Sequence, residues 1–104
     1  MFKCVWSLQI VYGKQNDAVE ILKGWGAEKM RSSHFKVSKQ NALFSGFAGV
    51  SSSYIMDEYL FDSLADLEKG LADMSQPQFK KFSDALSPLV VPGSQCWTIY
   101  KMIS

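Results

Sequence analysis

Tyr54-Ile-Met-Asp-Glu-Tyr-Leu-Phe61, running directly into Asp62-Ser-Leu-Ala-Asp-Leu-Glu68, is the stretch on which the reading of the fold turns. Over residues 54–61 the side chains alternate. Tyr54, Met56, Glu58 and Leu60 share one side; Ile55, Asp57, Tyr59 and Phe61 share the other, which predicts a strand. At Ser63 the period changes. Ser63 and Asp66 have the spacing of a capping box with Asp in place of Glu, and Leu64, Leu67 and Leu71 follow as a helical stripe.

Working outward, residues 2–12 alternate as a strand rich in β-formers, with Phe2, Cys4, Trp6, Leu8 and Ile10 on one face and Gly13 as its stop. Asn16 is the expected N-cap of a helix, with Asp17 and Glu20 in its first turn. Ala18, Ile21, Leu22 and Trp25 recur at helical spacing through about Arg31. Gly24 and Gly26 weaken that helix, and close packing around Trp25 would account for them. Residues 35–44 are expected to form a strand, and Gly46, Gly49 and Ser51–Ser53 a turn. Beyond the Leu71 stripe, Ser75 and Pro77 open a second short helix with Phe79, Phe82 and Leu86 on its apolar face. Pro88, Pro92 and Gly93 end it. Residues 95–103 make the last strand. The order strand, helix, strand, strand, broken helix, strand is the split βαβ arrangement. The expected fold is therefore α+β, ferredoxin-like βαββαβ, with a four-stranded antiparallel sheet.

The chain has 104 residues, which is one domain over residues 1–104. Apolar residues make up 47% and charged residues 20%, a balance that predicts a packed core and not disorder. Eleven basic and ten acidic residues leave a net charge of +1, and Arg31 is the only arginine, which argues against a nucleic-acid partner. No apolar run approaches the roughly 20 residues of a membrane helix, and the N-terminus lacks a signal-peptide core; a cytoplasmic location and no membrane partner are the expectation. Cys4 and Cys96 sit on the first and last strands at positions too far apart to bridge, and read as free thiols. With one histidine and two distant cysteines, no metal site is expected.

Helices in this arrangement cover one face of the sheet, and the other should then be polar. Here it is not. One choice of outward face exposes Val5, Val11, Tyr54, Met56, Leu60, Tyr100 and Met102; the other exposes Trp6, Leu8, Tyr59, Phe61 and Trp97. Either is a patch that needs covering, so the expected partner is a second copy, giving a two-fold homodimer with its sheets packed face to face.

The stretch Glu58-Tyr-Leu-Phe-Asp-Ser-Leu-Ala-Asp-Leu-Glu68 resembles the strand-to-helix junction of the dimeric α/β-barrel superfamily. Met74-Ser-Gln-Pro-Gln-Phe79 and Leu86-Ser-Pro-Leu-Val-Val-Pro-Gly-Ser94 resemble its small NIPSNAP-like members. The resemblance spans about residues 56–101 at motif level and the order of every element. It implies a homodimer and a pocket between sheet and helices, with no cofactor called for. It does not imply one reaction, because the superfamily holds cofactor-free monooxygenases, polyketide cyclases, isomerases, haem-degrading enzymes and proteins without known activity. The strands carry no histidine of the cyclase-like kind, and residues 62–90 contain no histidine of the haem-degrading kind.

The candidate catalytic residues are Glu58, Asp57 and His34. Asp57 and Glu58 are adjacent on a strand and face opposite sides; whichever is buried gains a raised pKa and the means to move a proton. Glu58 is preferred because it also matches a glutamate of the family's junction, although a structural hydrogen bond, to a tyrosine or across the dimer, is the simpler role. His34 is a candidate base at a helix exit. Trp6, Trp25 and Trp97, with the hydroxyls of Tyr54, Tyr59 and Tyr100, are the candidate ligand pocket for a small apolar or aromatic molecule; packing alone is the simpler role of such rings. Ser7, Gln9 and Thr98 are polar groups on paired strands that need partners. Lys80-Lys81 reads as a solvated helix face. The functional expectation is a small-molecule-binding protein, the alternative a cofactor-independent monooxygenase or isomerase/cyclase, and the third a structural dimer without ligand.

Overall fold

The computed structural model describes residues 1–104 as the expected α+β, ferredoxin-like arrangement. Strand β1 is Phe2–Gln9, helix α1 Gln15–Ser32, β2 Gln40–Ser45 and β3 Tyr54–Phe61. Helix α2 is Leu64–Asp73, α3 Lys80–Leu86 and β4 Cys96–Lys101; short 3-10 turns occupy His34–Val37, Pro77–Phe79 and Ser87–Leu89. The sheet order is β2-β3-β1-β4, antiparallel throughout, with Phe2 opposite Phe61 and Lys101, and Gln40 opposite Leu60.

Three boundaries differ from the sequence reading. Residues 34–37 form a 3-10 turn instead of opening a strand, because Ser33 Oγ accepts the Phe35 N–H at 3.1 Å and Asp73 Oδ2 accepts the His34 N–H at 2.8 Å. Those bonds turn the chain so that Phe35 is fully buried against Tyr59 and Phe61, and β2 starts only at Gln40. Asn16 lies inside α1, whose N-cap is Lys14 without a side-chain cap bond. β1 stops at Gln9, since Ile10 and Val11 donate their N–H groups to Ser53 and Leu89 carbonyls in the loops at 2.8 Å.

The capping expectation holds at α2, where Ser63 Oγ accepts the Asp66 N–H at 3.2 Å. Leu67 is fully buried from that helix, and Gly70 sits so close to the Phe35 ring that a Cβ would lie 3.1 Å from it. Gly24 plays the same part on α1: a Cβ there would lie 3.1 Å from Phe82, whose ring stacks on Trp25. Glycine's cost in a helix is about 1 kcal/mol, of the order of what one close aromatic contact returns.

The helices take the face bearing Cys4, Trp6, Leu8, Ile55, Asp57, Tyr59 and Phe61. Two core clusters form there, one around Trp6, Leu22, Trp25 and Phe79, the other around Cys4, Phe35, Phe61 and Leu67. The open face carries Lys3, Val5, Met56, Glu58, Leu60 and Tyr100. Of the two outward faces the sequence allowed, the fold selects the first. No helix is long and apolar enough to cross a membrane.

Candidate functional site

On the helix side of β3, Asp57 stands between Ile55 and Tyr59, with Trp6 of β1 and Leu43 of β2 as its cross-strand neighbours. A carboxylate in the middle of an apolar strand face needs a partner, and α1 supplies it. Ala18, Leu22, Trp25 and Lys29 are the buried residues of that helix, spaced to one stripe, so the lysine stem follows the apolar residues inward. Lys29 Nζ donates to Asp57 Oδ2 at 3.3 Å; the Lys29 side chain is 1% exposed and that of Asp57 9%. Four rings surround the ammonium: Trp25 and Tyr59 at 5.1 Å, Phe35 at 5.2 Å and Trp6 at 5.5 Å from their centroids. Each presents the negative face of its π-system to the cation.

Burial works against both charges. It pushes the Asp57 carboxyl above its ordinary value of 3.8, opposed by the charge and the hydrogen bond of Lys29. It also pushes Lys29 below 10.5, opposed by Asp57. The Cys4 thiol, in the same region, is pushed up to about 11 by burial. Tyr59 is raised as well, first by burial and then by the neighbouring carboxylate. Both shifts in the pair favour the neutral form of the group concerned, the usual effect of taking a charge out of water.

Asp57 and Tyr59 also reach a cleft. A groove of about 280 Å³ runs between α1 and the β2–β3 strands, walled by Leu22, Ala27, Met30, Ala42 and Leu43. Its polar groups are Lys23, Asn41, Asp57 and Tyr59, and Gly26 faces the Tyr59 hydroxyl. A polar end with apolar walls is the usual make-up of a small-molecule site. A smaller cleft of about 110 Å³ lies between Trp6, Trp25 and α3, where the Trp6 indole N–H donates to Gln95 at 3.3 Å. The Trp25 indole N–H is buried with no partner.

The structure sorts the candidate residues into groups. Trp6, Trp25 and Tyr59 gather with Asp57 around Lys29. Trp97 joins them at one remove, stacked on Trp6 at 5.3 Å and 6° between planes. Tyr54 and Tyr100 do not belong to this group: they point from the opposite face of the sheet, because even and odd positions of a strand diverge. Glu58 lies on that opposite face too, where Lys3 Nζ contacts its Oε1 at 3.2 Å. His34 sits in the 3-10 turn after α1, its Nε2 2.7 Å from Asp66 Oδ1, a contact that ties that turn to α2. Cys4 and Cys96 are both free, one buried and one exposed. Lys29 is the site residue that the sequence reading misses. Its signal is present, since it continues the Ala18, Leu22, Trp25 stripe by one further turn. A lysine on an apolar stripe is worth asking about.

The fold is ferredoxin-like, and the solved structures it resembles include NIPSNAP proteins and antibiotic-biosynthesis monooxygenases. Three solved structures illustrate the likeness. An uncharacterised NIPSNAP domain protein from Burkholderia xenovorans superposes with a TM-score of 0.78 at 12% identity, over 100% of this chain and 96% of its own. A NIPSNAP family protein from Agrobacterium tumefaciens gives 0.74 at 17% identity, over 96% and 90%. SnoaB of Streptomyces nogalater, a cofactor-independent oxygenase, gives 0.74 at 13% identity, over 99% and 93%. At these identities the likeness is one of fold. No protein-family model and no curated protein sequence matches the chain.

Proposed function

We propose that this protein binds a small, mostly apolar molecule in the groove between α1 and β2–β3, with a hydrogen-bonding end of the ligand placed against Asp57 and Tyr59. The observation that carries this is the buried Asp57 carboxylate, which lines the groove while paired with Lys29 behind it. A desolvated ion pair is a poor way to stabilise a core, whereas a carboxylate with a raised pKa at the polar end of an apolar cleft is what recognition of a hydroxyl or enol requires. Calorimetric titration with a panel of fused-ring phenols, each against its parent hydrocarbon, tests it. The phenols are expected to bind at least about tenfold more tightly than the hydrocarbons, the ratio that one hydrogen bond to a charged group supplies. Asp57→Asn should remove most of that preference. Absence of binding across the panel overturns the reading.

A catalytic reading rests on the same carboxylate. Asp57, raised by burial and reachable from the groove, has the position of a general base that takes an acidic C–H or O–H proton, while the Leu22, Met30 and Leu43 walls and the Tyr59 ring exclude water. Proton abstraction of this kind would serve an isomerase, a cyclase or a cofactor-independent oxygenase, the last being the activity named for the Streptomyces nogalater protein. Solvent-deuterium exchange at an enolisable probe, lost in Asp57→Asn, distinguishes catalysis from binding.

The functional unit in this proposal is a homodimer in the cytoplasm. Its support is the open sheet face, where half-exposed Tyr100, Met102 and Phe44 lie around Val5, Met56 and Leu60. A second sheet packed on it at about 10 Å would bury that surface. Sedimentation at micromolar concentration should give a particle of twice the 11.7 kDa chain mass. A particle of one chain overturns the dimer.

A further inference from the structure

We infer that the Lys3–Glu58 ion pair on the open sheet face fixes how a second copy of this chain docks, by closing a ring of four charges with its own image across a two-fold axis. The inference rests on the dimer proposed above and names the residues that would specify it.

Lys3 belongs to β1 and Glu58 to β3, the two inner strands of the sheet, so the pair stands away from the sheet's two edge strands, with Lys3 toward the start of β1. It forms a polar ridge. On one side lies a trough of about 380 Å³ walled by Val5, Met56, Leu60 and Tyr100; on the other lies one of about 140 Å³ bordered by Ala42 and Phe44. Lys3 and Glu58 line both. Their side chains are 47% and 17% exposed, so water still completes their hydrogen bonding in the single chain.

A partner that covers the troughs also covers the ridge. A purely apolar partner would strip water from both charges and return nothing, which is the unfavourable way to bury an ion pair. The single Nζ–Oε1 contact leaves ammonium protons and carboxylate lone pairs free. A second copy meets that need without any further design. A two-fold axis passing beside the pair brings the lysine of each chain to the glutamate of the other, ridge against ridge, and sets the apolar walls of the two faces together around them. One positive and one negative group side by side are complementary to themselves.

Sedimentation velocity of four proteins tests this: wild type, Glu58→Lys, Lys3→Glu, and the double charge swap. Wild type should be a dimer. Glu58→Lys sets two basic groups of one chain against two of the other, and Lys3→Glu two acidic groups against two; each should raise the dissociation constant at least about tenfold, as like-charge juxtaposition in an interface does. An equimolar mixture of the two single variants should form a heterodimer, and the double swap should dimerise within about threefold of wild type, because both restore opposite charges. Circular dichroism and melting of each variant report its fold. If Glu58→Lys does not fold, Glu58→Gln, uncharged and of the same shape, carries that arm with about a tenfold weakening. A dimeric wild type whose single variants dimerise equally well overturns the role of the pair and leaves the dimer standing, as does failure of both the mixture and the double swap to reassociate. A monomeric wild type overturns both together.

Discussion

Replacing the buried pair by the neutral couple Lys29→Met with Asp57→Asn should make the protein more stable while removing its ligand binding. The magnitude follows from the geometry. One Nζ–Oδ2 contact at 3.3 Å returns about 5 kcal/mol of Coulomb energy at an effective dielectric of about 20. Against it stand two ions almost fully removed from water, at several kcal/mol each. The four rings around Nζ recover about 1–2 kcal/mol of the ammonium's share. The net is unfavourable, in keeping with the directions of both pKa shifts. The neutral couple should gain only about 1–2 kcal/mol, because the introduced carboxamide stays a buried polar group beside Tyr59. For a domain of this size that raises Tm by roughly 5–15 °C.

Thermal unfolding followed by circular dichroism across pH checks both size and sign. Asp57, raised above 3.8, contributes stability that is fully present below that pH and lost as pH rises through its folded value. Lys29, lowered below 10.5, contributes stability present above that pH and lost as pH falls through its folded value. The wild type is therefore at its greatest disadvantage in between, where both groups are charged in the core. The Tm gap between double variant and wild type should be widest near neutral pH and narrow toward both ends. A double variant melting more than about 5 °C below wild type at neutral pH, or a gap independent of pH, would refute the reasoning, since 5 °C is about 1 kcal/mol here.

Three further outcomes are expected. Only Cys96 should react with a thiol reagent in the native protein, with Cys4 reacting on unfolding, because burial holds the Cys4 thiol at about 11; a count of two fast thiols contradicts this. Ser63→Ala should lower stability by about 1 kcal/mol through loss of the α2 cap, read from urea midpoints at unchanged slope. Trp97→Phe should cost no more than about 1.5 kcal/mol in urea unfolding, because a phenyl ring keeps part of the stack on Trp6; a larger loss contradicts the reading of that pair as a stacking contact.

Much of the fold was legible from residue order. The alternation over Tyr54–Phe61 and the Ser63–Asp66 cap are local features, decided by neighbours within a few positions, and both appear where the sequence puts them. The 3-10 turn at His34–Val37 was not legible. It depends on Asp73, far along the chain, accepting the His34 N–H, and on a slot for Phe35 that Gly70 leaves open. The candidate site divides in the same way. That Asp57 and Glu58 face opposite sides follows from strand period alone. Which of them is buried does not.

By itself, then, the sequence determines a βαββαβ order of elements, two chemically distinct sheet faces, and one carboxylate for each. These follow from the periods of strand and helix, which are properties of the backbone. Only the tertiary structure decides that the helices cover the Asp57 face, that Lys29 reaches it from 28 residues away, and that Lys3 meets Glu58 on the other side. Those pairings depend on the register between strands and on the angle at which α1 crosses them. Neither is encoded in any one segment; both arise when all the apolar faces are packed together.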